Sequence, residues 1–99
     1  MIDTQYSTDL SPQELLDTVA RFPLQVRTRA ARTTGGTRQV STLHPTDAEI
    51  SEDTYYEILD VLDDLGAERL RGERVARILV PYGGVLRPEP LSFRVVHRV

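Results

Sequence analysis

The spacing of apolar residues changes period at Pro23, and this change limits the fold more than any composition value does. Before it, Leu15, Leu16, Val19 and Phe22 recur at helical intervals. After it, Leu24, Val26, Thr28 and Ala30 alternate with Gln25, Arg27 and Arg29. A period near 3.6 buries one stripe of a helix, whereas a period of two buries one face of a strand. A chain that runs through both in succession belongs to the α+β class.

The first helix carries its own start and stop. Ser11 can cap it, Pro12 suits the first helical position, Glu14 completes a capping box, and Pro23 ends the run. Residues 1–10 show no comparable period and are expected as a flexible N-terminal arm, with 11–99 as a single domain. Beyond the first strand, Thr33-Thr34-Gly35-Gly36-Thr37 supplies a turn and residues 38–43 return, which predicts a β-hairpin with a dry face and an arginine face.

The pattern then repeats in kind. His44-Pro45 breaks the strand, and two cap signals follow, Thr46 with Glu49 and Ser51 with Glu52-Asp53. Tyr55, Ile58, Leu59, Leu62 and Leu65 recur at spacings of three and four, and Gly66 stands where a left-handed helix cap is expected. Residues 73–82 and 91–99 read as strands joined by a connector, 83–90, that holds two prolines. The order α-β-β-α-β-β predicts a four-stranded, mostly antiparallel sheet with both helices on one face. Residues 67–78 also fit a third helix, which would give a winged-helix-like second half.

Ninety-nine residues allow one modest core, burying roughly 60–65% of the unfolded surface. The longest aliphatic run is Ile78-Leu79-Val80, against about 20 residues for a membrane span, so no membrane partner is expected. The start has neither a basic segment nor an apolar one and does not read as a secretory signal. Without cysteine there is no disulfide framework, thiolate metal site or cysteine nucleophile, and a cytoplasmic bacterial protein is the expectation.

Charge is sorted into blocks. Residues 18–46 hold five arginines and no acid, while residues 47–68 hold nine acids and no base, within a net charge of −3. Every cation is arginine, which a GC-rich genome accounts for more simply than selection for bidentate contacts. Arg27, Arg29, Arg32 and Arg38 on the hairpin could track a phosphate backbone. The hairpin has no aromatic residue for stacking on bases. On the second helix, Asp53, Glu57, Asp60 and Asp64 form an acidic side opposite the apolar stripe. Asp63 and Asp64 fall in its last turn, where the helix dipole disfavours negative charge, so they are expected to meet arginines elsewhere.

Chemistry of other kinds finds little support. His44 and His97 have too few convergent ligands for a metal site. No serine lies in a Gly-x-Ser-x-Gly elbow, and the two glycine pairs lack the flanks of a phosphate loop. Asp60 with Asp64 reads as a solvated face before it reads as an acid–base pair. The expectation is a small non-enzymatic binding or accessory protein without metal or cofactor. It would act through a protein–protein interface as an inhibitor, antitoxin-like or immunity-like partner, with Asp53, Glu57, Asp60 and Asp64 as the contact surface. The alternative is a nucleic-acid-binding regulator using the arginine hairpin. Against both stands neutralisation of the arginines by the acidic helix, within one molecule or across a homodimer.

Overall fold

Helix α1 (Pro12–Val19) begins where its capping box places it. The Ser11 side chain accepts from the Glu14 N–H at 3.2 Å, and the Glu14 carboxylate accepts from the Ser11 N–H at 3.4 Å. The structure, a computed structural model, describes residues 2–47, 50–70, 76–80, 83–87 and 92–99. Leu15 and Val19 turn into the core, and Phe22 follows them just past the helix. Leu16, grouped with them by spacing alone, is 42% exposed, because an eight-residue helix on a sheet buries only a narrow stripe.

Strands β2 (Leu24–Thr33) and β3 (Gly36–Pro45) form the hairpin, in register from Leu24↔Pro45 to Thr33↔Gly36. Gly36 turns the corner with φ at +101°, a conformation that glycine takes without a Cβ penalty. Ten extended residues span about 34 Å, which accounts for much of the 49 × 24 × 19 Å shape. The two strands separate at their root into Pro23 and Thr46, where the Thr46 N–H donates to the Pro23 carbonyl at 2.8 Å.

That bond holds Thr46 to the hairpin, so the later cap signal starts the second helix. Strand β4 (Ile50–Ser51) leads directly into α2 (Glu52–Asp64), and Ser51 caps it by accepting from the Thr54 N–H at 3.2 Å. Gly66 ends the helix with φ at +83°. A Cβ there would stand 2.6 Å from the Ser7 carbonyl oxygen, so backbone crowding adds to the conformational demand for glycine.

The chain completes its order with β5 (Glu68–Arg69), β6 (Ala76–Val80), β7 (Gly83–Arg87) and β8 (Phe93–His97). Strand β8 pairs antiparallel with β3. Its other edge is shared end to end by β5, alongside Phe93 and Arg94, and by β1 (Ser7–Thr8), which runs parallel alongside Val96 and His97. These make a five-stranded sheet in the order β1-β8-β3-β2, with β5 beside β1, and β4, β7 and β6 make a second, three-stranded sheet.

The α+β class stands, with two helices and a mixed sheet, and the strand plan is richer than the alternation of residues shows. In the expected connector 83–90, the first five residues are β7, which returns along β6 after only two residues, Val80 pairing with Gly83. The connector's two prolines, Pro88 and Pro90, lie outside the described residues. Residues 67–78 give β5 and β6, and no third helix occurs among the described residues, which overturns the winged-helix alternative. Residues 71–75 lie outside the described residues.

The N-terminal segment, expected as a flexible arm, bonds to the sheet at several points. Ile2 bridges to Thr33, Thr4 meets the Thr34 hydroxyl, and Tyr6 and Thr8 accept from the N–H groups of Val96 and Arg98. Two sheet edges would otherwise present open backbone groups, and the segment satisfies part of each. Both helices pack on the same sheet face, as expected. Leu15, Val19, Phe22, Tyr55, Ile58 and Leu62 meet Leu43, Phe93 and Val95 in one core. Full burial of a side chain such as Phe93 or Ile58 contributes roughly 1.5–3 kcal/mol.

Candidate functional site

Strand register decides which arginines share a surface. Arg27 stands opposite Thr42, Arg29 opposite Val40 and Arg38 opposite Ala31, so these three occupy the sheet face away from the helices. Arg32, opposite Thr37, is one residue out of phase and points to the helix side. The four hairpin arginines therefore do not form one surface. Arg94 joins the first three, since it pairs with Thr42. At the centre lie Val40 and Val96, opposite one another and each no more than 2% exposed. An open depression of about 590 Å³ is lined by Arg27, Thr28, Arg29, Thr42 and His44, which gives His44 a place on this face.

All four hairpin arginines are exposed, and none has an ion pair or side-chain hydrogen bond among the described residues. The arginines that do find acids lie elsewhere. Arg94 donates to Glu68 at 2.8 Å, and Arg98 donates to Asp9 at 2.7 Å and to the Ser7 hydroxyl. The Arg98 hydrogen bond, aided by its charge, holds the Asp9 carboxyl below its ordinary value of 3.8. The same bond raises Arg98.

The acidic stripe sits on the opposite side of the sheet. Asp53, Glu57, Asp60 and Asp64 are all exposed along α2, whose buried side is Tyr55, Ile58 and Leu62. Of the four, Glu57 alone has an ion pair among the described residues, with Arg21 at 3.9 Å. Arg21 is steadied by lying over the Phe22 ring, 4.5 Å from its centroid. Asp63 and Asp64 meet no arginine among the described residues, contrary to expectation. Among the described residues the acidic helix pairs with none of the four hairpin arginines. A full sheet separates Arg27, Arg29 and Arg38 from α2, while Arg32 lies on the helix side without an ion pair there.

A buried polar chain escaped the sequence reading. His97 and Ser41 are fully buried; His97 Nε2 lies 2.6 Å from Ser41 Oγ, and His97 Nδ1 lies 2.7 Å from the Leu10 carbonyl oxygen. That carbonyl only accepts, so Nδ1 carries the proton, and in the neutral ring Nε2 accepts from Ser41. Thr28 then donates to Ser41 at 2.6 Å. Serine beside histidine is the arrangement of an activated nucleophile, but both groups are sealed from solvent, and the chain ties hairpin, last strand and N-terminal segment together. Thr28, Ser41 and His97 were visible as polar residues at dry-face positions, a signal that adjacency across strands alone explains.

The chain matches no family model, no curated protein and no solved structure. No helix among the described residues is long and apolar enough to cross a membrane.

Proposed function

We propose that this is a small non-enzymatic binding protein that acts through a protein–protein interface, with the acidic side of α2 as its contact surface. The observation that carries this reading is the placement of Asp53, Glu57, Asp60 and Asp64. They are exposed on a helix whose opposite side is locked into the core, and three of them lack an ion pair among the described residues. A rigid stripe of unspent carboxylates suits the masking of a basic site, the task of an inhibitor, antitoxin-like or immunity-like partner. Anisotropy of a labelled oligoarginine peptide tests the surface. Binding should fall sharply in the D60R/D64R double variant, and undiminished binding would remove the helix from the account.

A second reading, regulation through nucleic acid, is favoured by one observation. Arg27, Arg29 and Arg38 share an exposed face and have no acid partner among the described residues. Phosphate contact by these three would weaken on a duplex with a logarithmic salt slope of about −0.9 per neutralised phosphate.

A further inference from the structure

Strand β2 ends the larger sheet, and its outer edge is only partly used. Ile2 donates its N–H to the Arg32 carbonyl at 3.1 Å and accepts from the Thr34 N–H at 2.9 Å, so these two groups point away from β3. Backbone direction alternates along a strand, which sets the N–H and C=O of Val26, Thr28 and Ala30 on the same open side. Among the described residues Ile2 alone pairs with that edge. Next to these open groups stand Arg27 and Arg29, exposed on one face and without an acid partner among the described residues.

We propose that this edge receives an extended acidic strand of a partner protein, which adds to the sheet beside residues 26–30 and sets alternate carboxylates against Arg27 and Arg29. Main-chain bonds would supply affinity and the alternate side chains specificity. The intervening residues of the added strand fall on the helix side next to half-buried Val26 and exposed Thr28, where small or apolar side chains fit. A second copy of this chain suits the edge poorly. Antiparallel pairing about Thr28 would set Arg27 against the partner copy's arginine on one face, and like charges directly opposite are destabilising. A phosphate backbone suits it less well than a peptide, because the outward carbonyls of Val26, Thr28 and Ala30 would face phosphate oxygens. A peptide strand answers both N–H and C=O. The proposal uses the arginine edge and does not rest on the acidic helix.

The test is fluorescence anisotropy of the whole protein with three labelled probes: a peptide alternating Glu and Val, the same peptide N-methylated at alternate amides, and oligothymidylate. Saturable binding of the first peptide is expected. It should weaken at least about tenfold on N-methylation, in the R27A/R29A variant and in Ala30→Pro. The Ala30 N–H faces outward, so proline there removes no bond to β3. N-methylation keeps the test on unaltered protein should that variant fail to fold. Absence of peptide binding, or equal binding of the N-methylated peptide, would overturn the proposal. So would oligothymidylate binding that exceeds peptide binding and ignores Ala30→Pro, which would assign the arginines to phosphate.

Discussion

Helix α2 and strand β2 are the two most charged elements of the described structure, and they offer that charge in different ways. In α2 each interior backbone N–H and C=O is spent inside the helix, so a partner can read only side chains. In β2 the backbone of every second residue faces outward at the sheet edge, beside arginines that have no acid partner among the described residues. The helix is bolted to the core by Tyr55, Ile58 and Leu62, whereas β2 contributes only half-buried Leu24 and Val26 to it. One element is a rigid display of charge, and the other is an unfinished ladder. A surface of the first kind selects partners by electrostatic pattern, and one of the second kind also selects by backbone shape.

The sharpest way to break this contrast is to shorten one apolar side chain in each element. Ile58→Ala should destabilise by about 2–5 kcal/mol, because it opens a cavity in the shared core. Val26→Ala, at a half-buried position, should cost less than about 1.5 kcal/mol. Urea denaturation of the two variants decides. Equal losses would mean that β2 is packed as firmly as α2.

Ser41→Ala probes the anchor of the hairpin rather than its edge. It strands His97 Nε2 in a buried site and should cost about 1–3 kcal/mol by the same measurement. A loss under about 0.5 kcal/mol would show that the hairpin is held by apolar packing and ladder bonds without the polar chain.

The smallest effect concerns the contrast between a paired arginine and the unpaired ones. Asp9 in the folded protein is held below 3.8 by Arg98, so its contribution is present above the unfolded value and is lost as pH falls through the lower folded value. Carboxyl titration by NMR should place Asp9 below a free aspartate in the wild type and return it to the ordinary range in R98A. The pair is solvent-exposed, so global stability should barely register the change. The same titration in R27A should leave Asp9 where it was.

Local signals were legible wherever one short stretch of chain holds both partners. Ser11 with Glu14, the alternation from Leu24, and the glycine at 66 each fix a backbone state through neighbours a few residues away. Strands of two residues leave no such trace. β1, β4 and β5 exist because an edge of a longer strand stood open nearby, and nothing in Ser7-Thr8 or Glu68-Arg69 announces that edge. The same limit hid the site. Counting arginines in residues 18–46 finds the charge, but only the register separates Arg32 from Arg27, Arg29 and Arg38.

By itself the sequence determined the α+β class, the caps of α1, the hairpin with its two unlike faces, and the segregation of acid from base. Each follows from periodicity or from short-range bonding that the chain carries wherever it goes. Tertiary structure decided that the acidic helix and the arginine face lie on opposite sides of one sheet, that the N-terminal segment covers part of two edges, and that the rest of the β2 edge is unpaired among the described residues. Those outcomes depend on which distant strands pair. Pairing is set by the packing of Leu43, Phe93 and Val95 against both helices, residues that no single stretch of the chain contains together.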